Sequence, residues 1–291
     1  MQHGREGAPQ PSFRTIAVLM LLPVLSLFIY VVFRAIYPTE EAPGAEPLTR
    51  RSAPPSPAGR GAATAAAMTA PKPVAGSIVL IMDDFGFDGQ PIERAMRLDP
   101  DINFAILPNS TRAAYFAQRL HDAGFEILVH LPMEPLGEAS PGRNAILTSM
   151  SDEEIARLVE ENVRAVPYAR GMNNHMGSRA TADPRVMSTV LRSLPRGMYF
   201  VDSRTGDRSV AEKMAREMSI RTAARHVFLD DVRTPAAVRQ QLAVLAEMAG
   251  ERGYAVGIGH PHQVTLDVLA EEIPRLRERG FRFLRASAIV N

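Results

Sequence analysis

From residue 77 onward the sequence predicts an α/β fold, a distorted (β/α) barrel of about seven to eight mostly parallel strands. Short apolar runs rich in β-branched residues alternate with segments of helical periodicity, which is the pattern of βαβ units. Roughly eight such runs fit within some 215 residues, which favours a closed or nearly closed barrel over an open doubly wound sheet. Many runs end in Asp, His, Asn or Glu, so these side chains should meet at one rim.

The strand predictions follow the apolar runs in chain order. The first run, SIVLIM, has the continuous apolar character of a strand that is buried on both faces. The others are short and are bounded by turn residues or by helical segments. The predicted strands cover residues 77–82, 103–107, 126–131, 171–175, 198–201, 227–229, 254–258 and 281–284.

Segments of helical periodicity separate these strands. Ser110 or Thr111 can cap the second helix, and Ser151 with Glu154 predicts a capping box ahead of the third. Pro235 suits the first turn of the long sixth helix. The predicted helices cover residues 91–98, 110–121, 151–166, 184–194, 210–218, 235–251 and 265–279.

The amino-terminal part of the chain differs from the rest. Residues 16–33 are an uninterrupted run of 18 uncharged residues, at the lower limit for a helix that spans a bilayer. No small-residue cleavage site follows closely, which favours a retained anchor over a cleaved signal peptide. Residues 35–76 are rich in Pro, Ala and Gly, and therefore predict a disordered linker.

These features predict a single-pass protein of the inner (cytoplasmic) membrane, with its catalytic domain in the periplasm or outside. Arginines lie on both sides of the apolar run, so the positive-inside rule supports this orientation only weakly. The predicted organisation is a cytoplasmic tail at 1–15, a transmembrane anchor at 16–34, the linker at 35–76 and the catalytic domain at 77–291.

The composition excludes several classes of function. The 291 residues are 46% hydrophobic and 22% charged with a net charge of +1, so nothing marks the chain as a nucleic-acid binder. The chain has no cysteine, which excludes a disulfide scaffold, a Cys-ligated metal site and a thiol nucleophile.

Two adjacent acids, Asp83 and Asp84, directly follow the first predicted strand. Like charges so close repel each other and burial raises their pKa, so the pair is costly unless it binds something. A divalent cation resolves this conflict, because one carboxylate ligates it while the other takes a proton from the attacking water. A pair of helix-capping acids in a turn is the structural alternative.

Histidines follow later strands. His130 and His175 are natural zinc ligands at strand ends that face one rim, and together with Asp84 they are the predicted metal ligands. Glu134 lies four residues after His130 and is either a further ligand or an outer-shell partner of an imidazole. A satisfied histidine in the core is the structural alternative for each imidazole.

His260 follows the strand predicted at 254–258 and fits a general acid that protonates a leaving group. His262 is the second candidate and a possible further metal or outer-shell residue. Asp202 and Asp230 end two other strands, where each could orient a histidine, bind sugar hydroxyls or support a turn.

Polar residues on both sides of His175 in the sequence are candidates for substrate contacts. Asn174 and Arg179 could hydrogen-bond a substrate, or they could cap a loop. Beyond Arg179 and Arg204, few Lys or Arg residues are expected at the rim, which argues against an anionic substrate such as a phosphoester.

The segments that carry these residues resemble the divergent polysaccharide deacetylase family, a relative of the NodB-type carbohydrate esterases. The resemblance covers about residues 77–291, essentially the whole predicted domain. It implies a distorted (β/α) barrel and the removal of N- or O-acetyl groups from a polysaccharide. It rests on IVLIMDDFG, NFAILPNS, EILVHLPMEP, MNNHMGSRAT, YFVDSRT, VFLDD and GYAVGIGHPH, in that order.

The resemblance also implies roles for single residues. Asp83 matches the base and Asp84 the metal aspartate, while His130 matches the first histidine ligand. His260 matches the acid.

The chain departs from the pattern at one position. The superfamily sequence His-x-x-x-His appears here as His130-Leu-Pro-Met-Glu134. Either Glu134 replaces the second histidine ligand, or His175 supplies it from the next strand.

Together these features predict a membrane-tethered hydrolase that uses a divalent metal, expected to be Zn, and acts on an acetylated polysaccharide of the cell envelope. The rival from another class is a catalytically inactive glycan-binding or envelope-interaction protein on the same barrel, which the altered histidine pattern favours. A second rival is a metal-dependent hydrolase of another bond, such as a phosphoester.

Overall fold

The computed structural model describes residues 74–290, where strands and helices alternate along the chain. The strands are β1 (Gly76–Phe85), β2 (Asn103–Ile106), β3 (Glu126–Met133), β4 (Gly171–Met176), β5 (Tyr199–Asp202), β6 (Thr222–Ala224), β7 (Val227–Phe228), β8 (Tyr254–Gly259) and β9 (Phe281–Phe283). The helices are α1 (Ile92–Met96), α2 (Ala113–Asp122), α3 (Asp152–Ala165), α4 (Pro184–Arg192), α5 (Ala211–Glu217), α6 (Pro235–Arg252) and α7 (Gln263–Glu278).

All strand pairings in the described sheet are parallel, which confirms the predicted α/β class. The strand order is β6-β5-β4-β3-β2-β1-β8-β7, and β9 pairs with the start of β1. Strands β6 and β7 lie at opposite edges, yet only Arg225 and His226 separate them in the chain. Three Cα–Cα steps span at most about 11 Å, so the sheet must curl until its edges approach, as in a (β/α) barrel. No described pairing closes the gap between these two strands.

Side chains alternate along the strands between two apolar layers. Val79, Leu128 and Val256 pack inside the curled sheet. Their neighbours in sequence, such as Leu80 and Val129, pack between the sheet and the helices. Because the side-chain period of a strand is two residues, the inward positions continue to Asp83, His130 and His260 at the carboxyl ends.

The first residues of two helices show whether the predicted side-chain caps form. The capping box is confirmed, since Ser151 Oγ accepts from Glu154 N at 3.2 Å and Glu154 Oε2 accepts from Ser151 N at 2.8 Å. The prediction that Ser110 or Thr111 caps the second helix is wrong. Helix α2 begins at Ala113 without a side-chain cap, and Ser110 Oγ instead donates to the carbonyl of Leu107 at 2.6 Å.

The amino-terminal predictions concern residues that the structure does not describe. The cytoplasmic tail, the anchor at 16–34 and nearly all of the linker at 35–76 lie outside the described residues. Within residues 74–290, no helix is both long enough and apolar enough to cross a bilayer.

Candidate metal centre

The carboxyl ends of β1, β3 and β4 bring three predicted ligands together. Asp84 Oδ1 lies 3.2 Å from His130 Nε2 and 2.9 Å from His175 Nδ1. The same two imidazole nitrogens are 3.2 Å apart. One donor atom from each residue lies within 4.8 Å of the others. Two imidazole nitrogens and one carboxylate oxygen are a donor set that zinc prefers, and three protein ligands leave a position open.

The hydrogen bonding of Asp84 Oδ1 shows whether a cation would fit among these three side chains. This oxygen is buried and makes no aligned hydrogen bond, although both imidazoles are close to it. A buried acceptor without a hydrogen bond costs about 1–3 kcal/mol. A divalent ion among the three residues would remove that cost, so the residues fit such an ion.

The backbone of β1 explains why two consecutive acids both reach the rim. Between Met82 and Phe85 the register of β1 against β2 shifts, so β1 carries one extra residue as a β-bulge. Asp84 adopts a φ of 62°, in the left-handed region that a residue with a side chain rarely occupies. The bulge interrupts the alternation of side chains, and Asp84 therefore reaches the histidines.

Gln90 stabilises the turn that follows Asp84. Its Nε2 donates to the carbonyl oxygen of Asp84 at 2.7 Å. Its Oε1 accepts from the backbone N–H groups of Gly86 and Phe87, at 2.7 and 2.8 Å. These three hydrogen bonds offset the cost of the left-handed conformation and hold the Asp84 carboxylate in place.

Asn173 connects the first histidine to the predicted base. Its Oδ1 lies 2.8 Å from His130 Nδ1, and its Nδ2 donates to Asp83 Oδ1 at 2.9 Å. All three side chains are buried. An amide oxygen can only accept, so His130 carries a proton on Nδ1 and presents Nε2 to Asp84, as a metal ligand oriented by an outer partner would.

The two adjacent acids have opposite pKa shifts. Burial raises the pKa of Asp83, and this effect outweighs the nearby histidines, which lower it. Burial also acts to raise the pKa of Asp84, but its contacts with His130 and His175 outweigh burial and hold that pKa well below the usual range. Asp84 therefore stays ionised as a ligand would, while Asp83 takes up a proton more readily, as a general base must.

His260 approaches from the opposite side of the rim and is held by Asp230. His260 Nδ1 lies 2.9 Å from Asp230 Oδ1, and Asp230 Oδ2 accepts from His260 N at 2.7 Å. His260 Nε2 points toward Asp84 Oδ2, 3.6 Å away. Burial lowers the pKa of His260, but the hydrogen bond with Asp230 and the charge of Asp83 outweigh it, so the pKa is raised. A protonated imidazole that faces the rim suits a general acid.

A cavity of about 630 Å³ opens above Asp84 and is lined by His175, His260 and His262. Its other walls include apolar side chains, among them that of Phe87, which is 47% exposed. The cavity is large enough for a sugar unit and its acetyl substituent.

Sequence comparison identifies the family of the chain. The divergent polysaccharide deacetylase family matches residues 80–290. The chain belongs to this family. Two bacterial proteins are similar to the chain in sequence. YibQ of Escherichia coli, an uncharacterized protein, is 35% identical over 231 residues, which are 79% of this chain and 72% of YibQ. An uncharacterized protein of Haemophilus influenzae is 34% identical over 202 residues, which are 69% of this chain and 72% of the relative.

A solved structure supports the fold of this member of the divergent polysaccharide deacetylase family. The crystal structure of an uncharacterized protein from Agrobacterium tumefaciens has a TM-score of 0.71 and covers 75% of this chain and 90% of its own. Its sequence identity is 21%, so the likeness concerns the fold alone.

Glu134 and Arg179 of this family member lie away from the metal group. Glu134 Oε2 accepts from both the N–H and the Oγ1 of Thr148 at 2.6 Å, and Glu134 Oε1 lies 3.3 Å from Arg179 Nε. Of the two alternatives for the second histidine ligand, the structure places His175, and not Glu134, beside His130.

Asn174 and Asp202 lie at strand positions whose side chains face away from the inside of the curled sheet. Asn174 Oδ1 accepts from Ser203 N at 2.9 Å, which ties the end of β4 to the loop after β5. Asp202 accepts from Arg204 N at 2.8 Å and from Ser209 Oγ at 2.7 Å. These contacts belong to loops, so the structure brings neither predicted residue to the cavity.

The cationic side chains at the rim also differ from the expectation. Arg179 contacts Glu134, and Arg204 Nη2 lies 2.5 Å from Glu212 Oε2, so neither lines the cavity. Instead Arg143 is the one Lys or Arg on the described cavity wall, and no described acidic side chain forms an ion pair with its guanidinium.

Proposed function

We propose that this chain is a membrane-tethered, metal-dependent hydrolase that removes acetyl groups from a polysaccharide of the cell envelope. The observation that carries the proposal is the meeting of Asp84, His130 and His175 beside a second carboxylate, Asp83, whose pKa is raised by burial. A ligand set next to a poised base is what hydrolysis of an amide or ester requires. Membership of the divergent polysaccharide deacetylase family supports the acetyl substrate.

In this proposal Asp84, His130 and His175 hold a divalent ion, expected to be Zn. When bound, the ion supplies Lewis-acid stabilisation to the negative charge that develops on the acetyl carbonyl oxygen. Asp83 takes a proton from the attacking water. Asn173 keeps the Asp83 carboxylate in position through the hydrogen bond from its Nδ2.

On the other side of the cavity, His260 protonates the departing amine or alcohol. Asp230 keeps the ring oriented and favours its protonated form, because it accepts at Nδ1 and so stabilises the imidazolium. The ring nitrogen that faces the reacting group is then Nε2, which points toward Asp84.

The cavity wall supports a sugar as the substrate. The exposed face of Phe87 offers an apolar surface on which a sugar ring can pack. Arg143 brings one cationic group without an acidic partner among the described residues, so the wall also accommodates a glycan that carries an acidic substituent.

The membrane location rests on the sequence. The apolar run at residues 16–33 would anchor the chain in the inner membrane, and the Pro/Ala-rich linker would carry the domain into the periplasm. There the domain would meet a polysaccharide of the envelope.

Acetate release from acetylated oligosaccharides by the full-length protein, combined with metal analysis, tests this function. We expect acetate release that needs a divalent ion, with metal and activity both lost in Asp84→Asn and in His130→Ala. The matched control is Asp88→Asn, an exposed acid in the same loop that pairs with Arg112, and it should keep both. Unchanged metal content in Asp84→Asn and His130→Ala would refute the ligand assignment.

The same assay separates the proposal from the inactive glycan-binding protein. That rival draws support from the loss of the His-x-x-x-His spacing, although His175 lies beside Asp84 and His130. Binding of oligosaccharide without acetate release, with or without added Zn or Co, would select the rival.

A further inference from the structure

A second group of potential ligands lies beside the first. Asp230 follows β7, and His260 and His262 follow β8. One donor atom from each of these residues lies within 4.8 Å of the others. His260 and His262 are two positions apart in extended chain and their ring centroids are 5.6 Å apart, so both rings face the same side.

The proposed reaction uses His260 and Asp230 but assigns no task to His262. Nε2 of His262 is buried and has no hydrogen-bond partner among the described residues. Leaving a buried polar nitrogen without a partner costs about 1–3 kcal/mol, so a ligand that engages it gains that amount. His262 lines the cavity, which gives a small ion access to it.

We propose that Asp230, His260 and His262 form a second, weaker site for a divalent cation such as Zn²⁺, and that occupation of this site inhibits the enzyme. The inhibitory part rests on the proposed function, in which His260 is the general acid. The donor set is again two imidazoles and one carboxylate, which suits zinc.

The chemistry of His260 explains the inhibition. Its Nδ1 faces Asp230 Oδ1 at 2.9 Å, and the acid form of the ring needs a proton on that nitrogen as well as on Nε2. A cation bound at Nδ1 takes the place of that proton, which leaves to solvent. The ring then remains a cation-bound neutral imidazole and is a weaker acid than an imidazolium.

The contacts of Asp230 explain why this site should be the weaker one. Asp230 Oδ2 already accepts from His260 N at 2.7 Å and from Thr265 Oγ1 at 2.8 Å. A cation must share this carboxylate with those donors. Asp84 Oδ1, in contrast, has no aligned hydrogen bond to lose.

Zinc titration of the metal-free full-length protein tests the site. We expect two binding events per chain, the tighter one lost in His130→Ala and the weaker one lost in His262→Ala, with His262→Gln as a second variant in case the first does not fold. The loss should exceed the roughly 10–100-fold that removal of an outer-shell partner costs. His121→Ala is the control, since His121 stacks on Tyr168 away from the cavity.

Acetate release against zinc concentration provides the second measurement. The wild-type rate should rise and then fall, while His262→Ala should lack the fall at high zinc. A single binding event in the wild type, or a weaker event that survives in both His262 variants, would overturn the second site. Two binding events without any acetate release would instead remove the proposed function and the inhibition, and leave the site itself standing.

Discussion

The two ends of the curled sheet both bury polar side chains, but they satisfy them differently. At the amino end, Glu126 Oε1 accepts from Tyr199 OH and from Ser287 N, each at 2.7 Å, and Oε2 accepts from Ser287 Oγ at 2.5 Å. At the carboxyl end, Asp84 Oδ1 is buried without an aligned hydrogen bond. The protein itself therefore satisfies the carboxylate at one end, and at the other end it leaves the carboxylate for a ligand.

Asn103 at the amino end follows the same rule as Glu126. Its Nδ2 donates to the carbonyl of Leu80 at 2.9 Å, and its Oδ1 accepts from Ala286 N at 2.8 Å. In barrels of parallel strands the amino end commonly serves stability and the carboxyl end carries the chemistry. The comparison teaches that the two carboxylates differ in hydrogen bonding: Glu126 accepts from protein donors at both oxygens, whereas Asp84 Oδ1 has no aligned donor and can accept a ligand.

Among substitutions at the carboxyl end, Asp83→Asn should lower the rate of acetate release the most. An amide cannot accept the proton from the attacking water, so we expect acetate release to fall by about 10²–10⁴-fold. Metal content should not change, because Asp84 and not Asp83 lies closest to both histidines. Steady-state rates and metal analysis on the same preparation check both statements, and an active Asp83→Asn protein would contradict the assignment of the base.

Asn173 and Asn174 allow the comparison to be sharpened within one strand. Asn173→Ala should weaken metal affinity by roughly 10–100-fold, because it frees the ring of His130. Asn174→Ala should keep metal affinity but lower the free energy of unfolding by about 1–3 kcal/mol, because Ser203 N loses its acceptor. Competition with a chelator and denaturant unfolding measure the two effects. Loss of stability alone in Asn173→Ala, together with loss of metal affinity alone in Asn174→Ala, would contradict the comparison.

At the amino end, Tyr199→Phe should affect stability alone. The substitution keeps the ring and removes the hydroxyl that donates to buried Glu126, so the free energy of unfolding should fall by about 1–3 kcal/mol. Metal affinity and rate should match the wild type. A change in metal affinity would mean that the two ends are coupled.

The smallest effect concerns the pH dependence of the metal-free protein. Burial lowers the pKa of His130, but Asp83 and Asp84 outweigh burial and raise it from 6.5 to about 9. Protonated His130 therefore stabilises the metal-free fold below the unfolded pKa, and this contribution is lost as the pH rises through about 9. Thermal unfolding in a chelator should show a declining midpoint across that window. A midpoint independent of pH would contradict the prediction.

Much of the fold could be predicted, because long apolar runs mark the buried strands. Strand β6 was missed, since Thr222–Ala224 is three residues long and carries no large apolar side chain. Its position at one edge, next to β7 in sequence but opposite to it in the sheet, depends on how the whole sheet curls. No local pattern encodes that.

The candidate site could likewise be predicted only in part from the sequence. Histidines and acids at strand ends were visible, so Asp83, Asp84, His130, His175 and His260 meet as expected. Asn173 was missed and Asn174 chosen, although the inward alternation that leads to His175 also passes through Asn173. The sequence carried that signal.

The positions of two further residues depend on tertiary structure. Glu134 is four positions from His130 in sequence, but it follows the strand out to the loop and meets Thr148. Arg143 reaches the cavity from a loop for which no strand pattern sets the direction.

A crystal structure of the full-length protein grown with zinc tests the central claim most directly. We expect an anomalous peak with Asp84 Oδ1, His130 Nε2 and His175 Nδ1 as ligands, at about 2.0–2.2 Å from the metal. A peak elsewhere in a well-ordered crystal, or none at these three side chains, would contradict the proposed metal centre.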